Sequence, residues 1–306
     1  YAYGDKFLFA ATLRADGSSK FAQGNKWGTF PSVSGAWRIS DESFMDGIRN
    51  TLSDLKIRAS YGESGNNRID NFLYLTQFGP NAFYGFNNAL EVGFSPVALA
   101  NENLRWETTI AKNIGLDAGF WGGRIQFSVD AYLNTTRDLL VEVPVPSTSG
   151  YTVQLQNVGE TSNRGVEVQL SGAIINKRDF NWTASFNISH NINRVESLGE
   201  QSQFLVPSGW AGGNVPFDYA IQVGQPVGTM WGLVTDGFYQ ISDFDYADGV
   251  YRLRDGVPNN QGITSVVPRP GTLKFQDLNG DGVVDDNDRT AIGNATPKFF
   301  GGLNQQ

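Results

Sequence analysis

Runs in which apolar and polar residues alternate one for one recur along this chain, and that period belongs to a β-strand with one buried and one wet face. In Arg124–Asn134 (RIQFSVDAYLN), Ile125, Phe127, Val129, Ala131 and Leu133 share one face, and Gln126, Ser128, Asp130, Tyr132 and Asn134 share the other. Phe180–His190 repeats the pattern, with Phe180, Trp182, Ala184, Phe186 and Ile188 against Asn181, Thr183, Ser185, Asn187 and Ser189. Leu55–Tyr61, Val166–Leu170 and Val33–Ile39 are shorter examples, and Ile110–Phe120 alternates less cleanly. Glycine at 36 residues, aromatics at 13% and charged residues at only 18% fit many short strands and turns better than helical heptads.

The connections are unequal. Only WGGR (Trp121–Arg124) separates two of these strands, and SGAIINKRD (171–179) separates two more. Gly62–Trp106, Asp138–Arg164 and Val195–Pro216 are by contrast long and polar. Short turns at one end and long loops at the other describe an outer-membrane barrel, whose strands need about 9–11 residues with one apolar and one polar face. The fold class expected is therefore all-β: a portion of an antiparallel transmembrane β-barrel with long extracellular loops. Ile125, Phe127, Val129, Ala131 and Leu133 are expected to face lipid, and Gln126, Ser128 and Asp130 the lumen. The same split is expected for Phe180, Trp182, Ala184, Phe186 and Ile188 against Thr183, Ser185 and Asn187, with WGGR on the periplasmic side. A soluble β-sandwich alternates too. Lightly charged polar faces, and aromatics at strand ends (Trp37, Tyr61, Trp106, Phe120, Trp121, Phe180, Trp182), tilt the balance toward the membrane.

A second signal is Asp277–Asp288, DLNGDGVVDDND. Asp277, Asn279, Asp281, Asp285 and Asp288 stand at positions 1, 3, 5, 9 and 12 of a calcium loop, with Gly282 at the turn and the Val283 carbonyl at position 7. Those six groups are expected to converge on one structural Ca2+; a solvated acidic turn is the competing reading. Asp288 departs from the usual Glu and reaches less easily for bidentate ligation. The flanks PRPGTLKFQ and RTAIGNATPKFFGG are broken by glycine and proline rather than helical, so the loop is expected to staple a connection in a β protein.

Other chemistry is thin. A net charge of −8 without a basic cluster argues against nucleic acid. Cysteine is absent, which removes disulfides and thiolate sites. His190 is the single histidine and lies in an alternating strand, Asp41/Glu42 and Asp243/Asp245 lie in turn-like sequence, and no enzyme constellation emerges. No apolar run approaches the length of a membrane helix, a statement that leaves membrane strands open.

Several longer segments carry a family resemblance. Leu13–Met45 (LRADGSSKFAQGNKWGTFPSVSGAWRISDESFM), Leu55–Asn67 (LKIRASYGESGNN), Asn157–Leu170 (NVGETSNRGVEVQL), Val223–Gln240 (VGQPVGTMWGLVTDGFYQ) and Gly271–Asn304 resemble, in family order, the SusC/RagA family of TonB-dependent outer-membrane transporters. The resemblance implies that residues 1–306 are a middle-to-late part of a plugged barrel of about 22 strands. The plug and the last strands are expected to lie outside this sequence, and the nine strands counted here would leave two open edges. It further implies a SusD-like surface lipoprotein as partner, TonB acting through the plug, surrounding outer-membrane lipid in a Bacteroidetes-type bacterium, and import of oligosaccharides or peptides. The alternative is a secreted β-rich binding module with a calcium-stapled loop. Trp210, Phe217, Tyr219, Trp231 and Tyr239 stand in segments expected to be extracellular and are the candidate ligand-binding side chains. Packing of the loops or contact with the lipoprotein would use the same aromatics.

Overall fold

The computed structural model describes residues 1–209 and 217–306, with only the backbone of Asn81. Ten strands come first: β1 (Ala2–Tyr3), β2 (Phe7–Gly17), β3 (Trp27–Arg38), β4 (Leu52–Asn66), β5 (Gln77–Phe86), β6 (Ala89–Ala98), β7 (Glu107–Phe120), β8 (Ile125–Pro144), β9 (Val153–Lys177) and β10 (Phe180–Leu198). Short strands follow: β11 (Gln203–Val206), β12 (Tyr219–Gln222), β13 (Thr229–Gly232), β14 (Thr235–Phe238), β15 (Phe244–Ala247), β16 (Val250–Leu253), β17 (Leu273–Phe275) and β18 (Thr290–Asn294), before β19 (Phe300–Gln305). The chain divides into two compact units, Tyr1–Ser202 with Pro297–Gln306, and Gln203–Thr296.

The first unit holds a nine-stranded sheet in the order β1-β2-β3-β4-β7-β8-β9-β10-β19, every pairing antiparallel, and a separate β5–β6 pair. Register turns the alternation of single strands into continuous rows. Leu55, Ala118, Phe127, Leu170, Phe186 and Leu303 stand side by side, as do Ile57, Leu116, Val129, Val168 and Ile188. The opposite face carries Lys56, Asp117, Ser128, Gln169 and Asn187 in one row and Arg58, Gly115, Asp130, Glu167 and Ser189 in the next. The partition expected for β8 and β10 is the one observed. The apolar rows lie open: Ile114 is 57% exposed, Phe186 41% and Leu303 63%. A sandwich would bury that face against a second sheet. At about 3.4 Å per residue, Ile125–Leu133 covers about 27 Å along the strand, the scale of a barrel's apolar band.

At the ends of the sheet the structure corrects the sequence reading. Asp138–Arg164 is mostly paired strand and not a loop: β8 and β9 run on together as far as Pro144↔Val153, leaving 145–152 as the connection. The register shifts between Thr136 and Leu140, with Asp138 at a left-handed φ of 56°, interrupt the period-2 frame there and hide the continuation. Likewise β9 extends to Lys177, so the β9–β10 turn is only Arg178-Asp179. Within 67–106, β5 and β6 form a hairpin closed by Asn87-Asn88, both at positive φ, as a tight I′-type turn requires.

Aromatics mark the short-turn end, where Phe7 stacks on Trp37 at 6.0 Å and Phe120 lies 5.9 Å from Trp121. Trp106 departs from the expected belt. It packs on Phe21 and Phe30 beside the buried Phe21–Ile69–Leu104 cluster, and its indole N–H donates to the Lys26 carbonyl.

Candidate functional site

The polar face of the sheet holds an ion network built across three strands. Arg58 on β4 donates from Nη1 and Nη2 to both oxygens of Asp130 on β8 (2.7 and 2.5 Å) and from Nε to Asp117 on the intervening β7 (3.1 Å). Lys56 lies 3.0 Å from Asp117, and the Ser128 hydroxyl donates to the same carboxylate at 2.8 Å. The reach depends on Gly115, which faces Arg58 across the β4–β7 ladder: a Cβ there would stand 2.6 Å from the guanidinium carbon. Tyr132 uses the same device, passing over Gly165 of β9 to donate to Asn191 of β10 at 3.2 Å. Two cations and two carboxylates so arranged form a wet, charge-compensated wall that an aqueous lumen or a polar filling tolerates and hydrocarbon does not.

At the long-connection end of this unit the Phe21–Ile69–Leu104 cluster, with Leu73, Leu140 and Leu155 against it, ties the segments around 18–26 and 67–106 to the extended β8–β9 pair. Asn101 donates to the Leu155 carbonyl and Gln154 to the Ala100 carbonyl, both at 2.8 Å. Beside them lies a cleft of about 850 Å³ with Lys20, Arg68, Asp70, Glu142 and Gln154 in its walls. Sequence reading did not find it, because its residues come from five separate segments and share no local motif.

Within the second unit the expected ligand-binding aromatics diverge. Trp210 falls outside the described residues. Phe217 is exposed, while Tyr219 and Trp231 are half-buried on β12 and β13. Tyr239 is a correction: it is 1% exposed, its hydroxyl donates to the Pro258 carbonyl at 2.6 Å, and its ring packs edge-on against Phe244. Burial pushes its hydroxyl pKa above the ordinary phenol value. Tyr239 therefore builds the core of this unit and offers no face to a ligand. Tyr246 and Tyr251, paired across the β15–β16 hairpin at 4.7 Å, remain outside.

The Asp277–Asp288 segment folds as a closed loop, but its carboxylates serve backbone amides. Asp277 accepts from the N–H groups of Gly280 (2.6 Å) and Gly282 (2.7 Å), Asp281 from Val283 (2.8 Å), and Asp285 from Asn287 (2.7 Å). Asp288, fully buried, accepts from Leu278, Asn279 and Asp285. Burial alone would raise its pKa, but these three donors together hold it below the ordinary carboxylate value. Asn279 donates to Asp281 at 3.1 Å, and Val283 forms a bridge with Asn259 beside the buried Val284. The oxygen-only donor set suits a hard cation. The expected convergence is not present in this geometry: among the described residues no three Asp, Glu, His or Cys side chains form a group able to hold a metal ion. Asp277, Asp281 and Asp285 take these bonds because their amide partners lie two to five residues away and need no ion to recruit them. His190 is likewise satisfied, with Nδ1 2.5 Å from the Lys298 carbonyl and its ring stacked on Phe299.

The chain is similar to known proteins over its whole length. It is 36% identical over 328 residues to the TonB-dependent receptor P39 of Formosa agariphila, covering all of this chain and 30% of that protein. It is 40% identical over 216 residues to the TonB-dependent receptor SusC of Bacteroides thetaiotaomicron, covering 68% of this chain and 21% of SusC. Among solved structures, the RagAB peptide transporter superposes with a TM-score of 0.74 at 25% identity, over 98% of this chain and 30% of that one. An 'open-open' state of the RagAB peptide importer gives the same TM-score at 27% identity, over 99% of this chain and 29% of that one. This chain thus spans about a third of the length of the relatives it matches. The TonB dependent receptor-like, beta-barrel family profile matches residues 1–290, and with the two-faced sheet and these relatives it places the chain in that family.

Proposed function

We propose that this chain forms part of the wall of an outer-membrane, TonB-dependent nutrient importer, working beneath a SusD-like surface lipoprotein and driven by TonB through a plug. The observation that carries the reading is the sheet itself: exposed apolar rows on one face and the Arg58–Asp117–Asp130 network on the other suit lipid outside and a filled, polar lumen inside. The cargo class is an oligosaccharide or a peptide; RagAB is named as a peptide transporter. A secreted binding module explains the exposed rows poorly, since water would meet them.

The connections 67–106 and 145–152 and the insertion between β10 and β19 leave the same end of the antiparallel sheet and are assigned to the cell exterior. The turns at 121–124 and 178–179 are assigned to the periplasm. Single cysteines at Asn88 and at Gly122 of the full-length protein test this with a membrane-impermeant maleimide on intact cells. Labelling at Asn88 alone is expected; labelling at Gly122 alone would reverse the assignment. In the same cells, uptake of the cargo is expected to cease when TonB is deleted.

Calcium in the Asp277–Asp288 loop is part of this proposal, supported by donor chemistry and spacing. Each carboxylate offers about four acceptor positions, so Asp277, Asp281 and Asp285 would keep their amide donors and turn their remaining lone pairs to the ion. Calorimetric titration of the full-length protein is expected to show one site that Asp281→Ala abolishes. At a hundredfold excess over its dissociation constant the ion would stabilise the loop by about 2.7 kcal/mol. No heat in the wild type, and identical melting with calcium or chelator, would mean that the loop closes on its amides alone.

A further inference from the structure

The short-turn end of the sheet carries a feature that the transport reading does not use. On the apolar face, an apolar groove of about 690 Å³ is lined by Trp121, Ile125, Leu170, Ile174, Phe186 and Leu303. Its floor is low because Gly172 and Ala184, side by side on β9 and β10, carry almost no side chain. The β9 bulge opposite Trp182/Thr183 adds Ile174 without a cross-strand partner, and Ile174 forms one wall. Trp121, held at φ 51° in the Trp121-Gly122-Gly123 turn, is 56% exposed at the other wall.

Charge is distributed unevenly around this end. In the 39–51 connection and its neighbours every pairing is internal: Lys6 with Glu42 at 2.9 Å, Arg38 with Asp41 at 3.4 Å and Arg49 with Asp46 at 3.3 Å. Arg124, Lys177 and Arg178 are exposed and form no ion pair among the described residues. Arg124 closes the turn before β8, Lys177 is the last residue of the adjacent β9, and Arg178 opens the turn after it, with Asp179 the one carboxylate among them. Arg124 is fixed at the rim by donating to the Ala173 and Ile174 carbonyls (2.9 and 2.8 Å), a contact that satisfies part of its fork and leaves its charge uncompensated.

We propose that this groove is a specific site for an anionic phospholipid of the periplasmic leaflet, an assignment that rests on the membrane reading above. One acyl chain lies between Trp121 and Ile174, and the headgroup phosphate meets Arg124, Lys177 and Arg178. A cation at an anionic membrane surface contributes about 1 kcal/mol, so three of them favour a net-negative headgroup over a zwitterionic one. Trp121 sits at the depth where an indole bridges apolar chain and headgroup.

The test uses the full-length transporter in detergent, probed by native mass spectrometry with phosphatidylglycerol and phosphatidylcholine of identical chains. The wild type is expected to retain phosphatidylglycerol preferentially. The Lys177→Ala/Arg178→Ala double variant, altered only at exposed positions at the end of β9, is expected to lose at least about tenfold of that preference. Ala184→Trp, which fills the groove, is expected to lose about tenfold in retention of both lipids. Equal retention of the two lipids by the wild type, or a preference unchanged in the double variant, overturns the site even if Ala184→Trp fails to fold. A protein that stays folded and monodisperse without detergent overturns the membrane reading itself, whereas one that requires detergent and still shows no preference overturns only the lipid site.

Discussion

Val129→Arg is expected to destabilise the folded protein in a bilayer by about 2–4 kcal/mol, while Gln169→Arg should change stability little. Val129 lies in the middle row of the apolar face, flanked by Leu116 and Val168, with rows of apolar residues on either side of it along the strand. An arginine there must leave its charge in hydrocarbon or bend away to the interface, and the midplane offers the longest path. Gln169 stands one row-step away on β9 but on the other face, opposite Ser128 and Asn187, where water or polar groups receive a cation. Both positions are central in strands of the same sheet, so backbone effects are similar and the face alone separates them. Urea unfolding of the full-length protein in lipid vesicles, followed by tryptophan fluorescence, measures the pair. Equal losses for the two variants would remove the two-faced reading of the sheet.

Asp288→Ala is expected to open the 277–289 loop whether or not calcium is present. The Asp288 carboxylate is fully buried and accepts the amides of Leu278 (2.7 Å), Asn279 (3.3 Å) and Asp285 (2.8 Å). A hydrogen bond to a charged group contributes about 1.5–3 kcal/mol, and because Leu278 and Asn279 are exposed enough for water to replace part of theirs, losing all three should remove about 3 kcal/mol of local stability. Asp286→Ala is the control: that carboxylate is largely exposed and among the described residues pairs only with Arg289, at 2.7 Å, an interaction of about 0–1 kcal/mol. Hydrogen exchange on peptides covering 277–294 should show strong deprotection for Asp288→Ala and near wild-type protection for Asp286→Ala. Protection retained in Asp288→Ala would mean that another contact closes the loop.

Asp288 also shows where the sequence reading stopped. The spacing of Asp277, Asn279, Asp281, Asp285 and Asp288 pointed to a calcium loop, and the segment closes on its own backbone amides, since the same oxygens that ligate an ion also cap amides. It did not reveal that Asp288 would be buried on three amides. Tyr239 is a second case. Its place in an aromatic-rich, polar stretch resembled a binding loop, yet Phe244 and the Pro258 carbonyl enclose it. Burial of one ring among several depends on how short strands pack, and nothing in the neighbouring residues encodes that.

The sequence by itself determined the all-β class, the two faces of β8 and β10, the tight turn at 121–124 and the family. Each is fixed by the pleat, whose period of two assigns every side chain to a face once a strand forms, or by long stretches read in order. Only the tertiary structure decided how far β8 and β9 run, which aromatics are buried, and that Arg58 crosses Gly115 to reach Asp130. Those outcomes depend on register between strands, on bulges that shift the frame by a residue, and on partners 59 and 72 positions apart in the chain. A side chain's face is a local property of the backbone; its partner is a property of which other strand is brought alongside.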